Sequence, residues 1–309
     1  MKIKIIKFSL LIIGTFIALW ITEYVIINTM KECKEETIGK INGIMNHTID
    51  AEITIWGAST ANVNFNPQII IDSLNLSCMN MGIDGTNIDQ YAGLLNEFID
   101  FTSKSKSLVI AIDIHSGLAN RDSFYHFYKW LHHVKNDNIY NCFSDIDYER
   151  MFKIKYIPFY SLTQFDKHAF PYFIRTIRNK NNQISNYGFS PLNGTILNSA
   201  NDGPNFETFV NTRAFDKVNN AVKKASSKGI KCYIVITPCY EKGFLRIINR
   251  NEFISKLKTI DVQNAEVFDF SNCYISKDPK YFRDNTHLNS IGANELTKLF
   301  LKKMKSPIQ

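Results

Sequence analysis

The chain has 309 residues, 45% of them hydrophobic and 21% charged. That is enough for one large α/β domain, or two small ones, and it excludes a disordered or collagen-like chain. The net charge of +7 is spread along the sequence. No Lys/Arg run has the density or aromatic interleaving of a nucleic-acid site, so no nucleic-acid partner is expected, although a mildly basic surface suits approach to anionic lipid or acidic glycan.

The first predicted element is a hydrophobic span. Lys2, Lys4 and Lys7 precede the run FSLLIIGTFIALWITEYVIIN, Phe8 to Asn28, in which Glu23 is the only charge. As a helix this run is about 30 Å long, the thickness of a bilayer's hydrocarbon core. The flanking lysines predict a cytoplasmic N-terminus and an extracytoplasmic remainder. No A-x-A site follows, and the run is longer than the apolar core of a cleaved signal. Residues 1–28 therefore read as a cytoplasmic tip and a single-pass membrane anchor, rather than as a cleaved signal or a buried soluble helix. Residues 29–50 read as a polar, helix-capable stalk.

Strands and helices then alternate. EITIW (52–56) reads as a buried strand and PQIIIDSL (67–74) as a short helix opened by Pro67. SCMNM (77–81) reads as a second strand, residues 87–104 as a helix, and SLVIAIDI (107–114) as a third strand. Residues 212–229 read as a helix ending near Gly229, IKCYIVITP (230–238) as a strand and RNEFISKLKTI (250–260) as a helix. AEVFDF (265–270) is a last strand and residues 289–304 a last helix. Continuous apolar strands separated by helices predict a parallel sheet covered on both faces, and so one α/β domain over 51–309. The rhythm fails at about 116–211, an aromatic-rich region read as a helical insertion packed above the sheet. Its aromatics read as core, with a carbohydrate platform or a membrane-facing surface as the alternatives.

Six cysteines show no C-x-x-C pair and no zinc spacing. Outside the cytoplasm some could pair, and fifteen full pairings are open; Cys78 and Cys232, in strand-like runs, read as small buried hydrophobes. Adjacent His132 and His133 point different ways on a helix and have no acid spaced to join them, so no metal and no cofactor is expected. Arg213 and nearby lysines could hold an anionic acceptor.

The chemistry lies at two short motifs. Gly57-Ala58-Ser59 follows the first strand, and ligands of open parallel sheets bind beyond the carboxyl ends of the strands. Gly57 permits a sharp turn, and a serine at such a tip suits a nucleophile as well as a helix cap. Near the C-terminus YFRDNTHLNSIGA places Asp284 three residues before His287. An Asp so placed can accept the ring Nδ1–H and leave Nε2 facing a substrate. A third block, NMGIDGTN (80–87), follows the second strand.

In this order the three blocks resemble the SGNH (GDSL-type) hydrolase superfamily, over residues 51–115 and 229–305. The resemblance implies a flavodoxin-like parallel sheet, with Ser59 as nucleophile, His287 as base and Asp284 as its orienting partner. The oxyanion hole would be formed by the backbone N–H groups of Ser59 and Gly85. Two departures stand out. Ala58 replaces the usual Asp of the first block, where membrane-anchored relatives acting on surface polysaccharide and teichoic acid vary. The Asn that usually follows the third strand is absent; His115 or Asn87 could donate in its place, or the hole has only two donors. The implied activity is a serine esterase or O-acyltransferase at the cell surface, acting on an O-acylated, plausibly O-acetylated, glycan. A membrane acyl-donor protein is a further candidate partner. The rival reading is a catalytically inactive surface or polysaccharide-assembly protein that keeps the fold.

Overall fold

The computed structural model describes residues 2–118, 124–180, 183–196, 203–260 and 265–305. Of the insertion, residues 119–123, 181–182 and 197–202 therefore lie outside the described residues. A long helix α1 (Lys2–Lys31) leads into α2 (Glu36–Met45), β1 (Ile53–Trp56), α3 (Ser59–Asn64), α4 (Pro67–Leu74) and β2 (Cys78–Asn80). Next come α5 (Ile88–Phe101) and β3 (Ser107–Asp113), then the insertion with α6 (Asp137–Ser144), α7 (Tyr148–Tyr156) and α8 (Phe170–Ile177). The chain closes with α9 (Thr212–Ser227), β4 (Lys231–Thr237), α10 (Glu241–Leu245), α11 (Arg250–Leu257), β5 (Ala265–Asp269) and α12 (Ser290–Lys305).

The five strands form one all-parallel sheet in the order 2-1-3-4-5, the order of flavodoxin-like doubly wound sheets. Alternate residues of β3 show why its apolar run is continuous. Leu108, Ile110 and Ile112 pack into one core with α5 and α9. Val109 and Ala111 pack into a second core with Phe65, α4 and α12. Both faces are thus buried, as a parallel sheet requires. The chain reverses its winding between β1 and β3, and the crevice at that switch point is where such sheets bind ligands.

Two expectations need correction. Residues 29–50 are not an exposed stalk: in α2, Ile38, Ile41 and Ile44 are fully buried, and the helix packs on α5. Its charges are met by remote partners. Glu35 accepts both Nε–H and Nη2–H of Arg175 at 2.7 Å, and the buried Lys40 donates to Asn62 Oδ1 at 2.7 Å and to the Gly82 carbonyl at 2.8 Å. The insertion, in turn, does not lie simply above the sheet. Its α6 packs on α5, and α8 packs on α1.

Near the N-terminus α1 is long and apolar enough to cross a membrane. Its C-terminal end is built into the domain: Met30 and Cys33 join a buried cluster with Ile38, Tyr128 and Ala169. Asn42 of α2 donates to the carbonyls of Met30 and Cys33 at 2.9 and 2.8 Å. The same side chain accepts from Nε2 of His132 at 2.8 Å and of His133 at 2.7 Å, which is how the histidine pair is used. All six cysteines are free thiols.

Candidate active site

The first strand ends where the sequence turns. Gly57 has φ +152°, and a Cβ there would meet the Ala111 carbonyl oxygen and Ala61 Cβ at 2.7 Å, so only glycine fits between β3 and α3. The turn starts α3 at Ser59, not capped but as its first residue. The loop after β2 runs alongside: Met81 N–H donates to the Ile55 carbonyl at 2.7 Å and Ile83 N–H to that of Gly57 at 3.0 Å. Asn80 holds this loop to α3, its Nδ2 donating to the carbonyls of Ala61 and Phe65 and its Oδ1 accepting from Gly82 N–H.

His287 comes from the turn before α12, and Asp284 builds that turn. Its Oδ1 accepts from the backbone N–H of Thr286 at 3.0 Å and of His287 at 2.9 Å. Its Oδ2 lies 2.8 Å from His287 Nδ1. On the other side of the ring, His287 Nε2 lies 2.8 Å from Ser59 Oγ. The three residues predicted from the two short motifs are therefore joined as Asp284–His287–Ser59.

A cavity of about 130 Å³ opens beside Ser59. Its lining includes Gly85, Asn87 and His115 as well as Ser59 and His287, so every predicted site residue except Asp284 faces one space. Gly85 sits at φ +65°. Asn87 precedes α5 without capping it, and its Oδ1 is buried with no hydrogen-bond partner. His115 packs its ring on Phe206, with centroids 4.7 Å apart. At the end of β3, where an Asn was expected and is absent, Asp113 accepts from Ser116 N–H at 2.6 Å and from Ser116 Oγ–H.

Several positioning groups have no signal in the sequence. Asn64, at the far end of α3, donates to the Thr286 carbonyl at 3.1 Å and accepts from Leu288 N–H at 2.9 Å. It clamps the helix that carries Ser59 to the histidine turn. Lys129, buried in the insertion, donates to the Asp84 carbonyl at 2.6 Å. A Cβ on Gly85 would lie 3.6 Å from Lys129 Nζ and 3.4 Å from His126 Cδ2. The insertion thus brings a cation and an imidazole to the Gly85 loop. Burial pulls the Lys129 ammonium down to about 8 against the opposing pull of Asp84. Arg213, a candidate for holding an anionic acceptor, is instead committed to the buried Asp89, donating through Nε and Nη2 at 3.0 Å each. Among the described residues no three His, Cys, Asp or Glu side chains gather as a metal site.

The charges at the site favour a basic histidine. Burial works against a charged carboxylate at Asp284, but its bond to His287 and that residue's charge, with two backbone N–H groups, hold it at about 2. Burial likewise opposes protonation of His287. Asp284, then the charges of Asp113 and Asp84, more than offset this, so the ring titrates above the ordinary 6.5. A general base must be neutral to accept a proton. If His287 serves as base in the acylation of Ser59, the rate is expected to fall as pH drops through a value above 6.5, and Asp113→Asn is expected to move that acid limb to lower pH. A pH profile of kcat/KM on an aryl acetate checks both; a limb that Asp113→Asn leaves in place would contradict the assignment of that charge.

No family model matches the chain, and no curated protein matches it.

Proposed function

We propose that the protein is a serine-dependent acyl-ester hydrolase or O-acyltransferase of the SGNH kind, anchored in a membrane through α1. The observation that carries this reading is the Asp284–His287–Ser59 chain, with 2.8 Å at each link, at the carboxyl edge of the sheet. In the proposed reaction His287 Nε2 takes the Ser59 proton as Oγ attacks the ester carbonyl. The resulting oxyanion is met by the N–H groups of Ser59 and Gly85. As the intermediate collapses, the proton on Nε2 passes to the departing alkoxide and the acyl group stays on Ser59. Water, or a sugar hydroxyl, then attacks the acyl-enzyme with His287 again as base. A cavity of about 130 Å³ suits a short acyl group such as acetyl.

The decisive experiment is labelling by a fluorophosphonate probe. Wild type is expected to be labelled and Ser59→Ala not; equal labelling of the two, or none of a folded wild type, would refute the serine mechanism.

For the third oxyanion donor the geometry favours Asn87 over His115. Asn87 lines the cavity while capping nothing, whereas the His115 ring is packed on Phe206. Asn87→Ala is expected to lower acylation by about 10²-fold, the usual scale for one lost donor, and His115→Ala by clearly less. Single-turnover kinetics on the two folded variants would rank them, and the reverse order would reassign the donor.

The membrane reading is supported by α1 itself. The lysine flank of this span favours a cytoplasmic N-terminus, with the sheet domain outside, at the cell surface. Met30 and Cys33 at its end are buried in the domain, which favours a retained anchor over a cleaved signal. An O-acylated surface glycan is the substrate class this placement suits, with a membrane acyl-donor protein as partner if the acceptor is a sugar.

A further inference from the structure

A second cavity, of about 500 Å³, lies between α1 and the insertion and shares no lining residue with the one beside Ser59. Trp20, Tyr24 and Lys31 line it from α1, and Lys135, Ile157 and Pro158 from the insertion. At 1.5 Å per residue, Trp20 and Lys31 are separated by about 16 Å along the helix, so one end of the α1 wall is aromatic and the other cationic. Lys31 and Lys135 have no carboxylate within ion-pair distance among the described residues. Lys155, also in the lining, is 3.4 Å from Asp137. The one acid in the lining, Glu23, already accepts a hydrogen bond from Ser161 Oγ. His132, a further lining residue, is kept neutral by burial.

The insertion reaches down α1 at this point. Phe159 packs its ring on Phe16, 5.6 Å between centroids, within the apolar span. Around the cavity Trp20 is 61% exposed, Tyr156 57% and Ile157 43%. Apolar side chains left open beside a membrane helix face lipid more readily than water, and the tryptophan and tyrosine are of the type that sits at the headgroup level.

We propose that this cavity seats an anionic membrane phospholipid, its phosphate between Lys31 and Lys135 and the start of its acyl chains against Trp20, Tyr24 and Ile157. The bound lipid would fix the height and tilt of the domain on the membrane. This rests on α1 lying in the membrane, as proposed above. The order of the wall, apolar then cationic, matches an amphiphile with a phosphate head and distinguishes it from a free phosphate, which has no use for the aromatic end.

The test uses the full-length protein extracted in mild detergent, with native mass spectrometry of bound lipid. Phosphatidylglycerol is expected to be retained over phosphatidylcholine of the same chains on the order of 10-fold, because two lysines favour a net anionic headgroup over one whose choline ammonium offsets its phosphate. Lys31→Ala with Lys135→Ala is expected to bring the two lipids to parity, and Lys31→Arg with Lys135→Arg to keep the preference. No preference in the wild type, or an unchanged preference in the alanine pair, would overturn the proposal. So would displacement of the lipid by glycerol 3-phosphate, which would make this a soluble-phosphate site. Alkaline extraction of the source membranes separates the two readings. Protein kept in the membrane without lipid preference overturns the lipid site alone; protein released to the supernatant overturns the anchor and the lipid site with it.

Discussion

Replacing Asp284 by Asn is expected to cut the rate of Ser59 acylation by about 10⁴-fold while leaving the fold in place. The carboxylate has two tasks. Oδ1 receives the Thr286 and His287 backbone N–H groups that make the turn, and an Asn oxygen can take over that task. Oδ2 faces His287 Nδ1 at 2.8 Å, where the amide NH₂ of Asn would instead present a donor. The ring would then carry its proton on Nε2, 2.8 Å from Ser59 Oγ, and could no longer accept the serine proton. Stopped-flow acylation by an aryl ester, with circular dichroism as the check on folding, measures this. A folded Asp284→Asn protein within 10-fold of wild type would remove Asp284 from the mechanism.

Gly82→Ala is expected to cost about 3 kcal/mol or more of stability, at the upper end for overpacking, and to lower acylation in whatever fraction folds. A Cβ on Gly82 would stand 2.2 Å from Asn62 N and 2.6 Å from Asn62 Cα. These are backbone atoms of α3, so relief requires moving the helix that carries Ser59 or the loop that carries Gly85. The Gly82 side of the contact is pinned at both of its backbone polar groups. Gly82 N–H donates to Asn80 Oδ1 at 2.9 Å, and the Gly82 carbonyl accepts from the buried Lys40 at 2.8 Å. Urea unfolding of the purified protein gives the stability change. A shift below about 1 kcal/mol would mean that the loop and α3 can separate freely, contrary to the packing seen here.

The parts of the molecule that were legible in the sequence are those held by near neighbours. The helix predicted over 67–74 runs from Pro67 to Leu74, because Asn66 caps it, accepting from Gln68 N–H at 3.1 Å, and Pro67 suits its first turn. The third strand, predicted over 107–114, spans Ser107–Asp113, because an unbroken apolar run of that length has few other uses. The Asp284–His287 turn is equally local, closed by bonds over two and three residues.

The misread stalk shows the opposite case. Lys34, Glu35, Glu36 and Lys40 made residues 29–50 look solvated. Yet Glu35 is met by Arg175, and Lys40 by Asn62 and Gly82, partners 140, 22 and 42 positions away in the chain. A charge is read as exposed unless its partner is in view, and here the partners belong to other elements. Asn64 escaped notice for the same reason, since its two partners lie more than 200 residues along the chain.

By itself, then, the sequence determined the strand and helix periods, the apolar N-terminal span and the two motifs at Ser59 and at Asp284 with His287, because each depends on bonds and periodicities within a few residues. Tertiary structure alone decided that Nε2 of His287 comes to 2.8 Å from a serine 228 positions away, that Asn87 and His115 share its cavity, and that α6 of the insertion packs on α5 and its α8 on α1. Those outcomes depend on which surfaces bury one another, and burial is set by the whole chain at once.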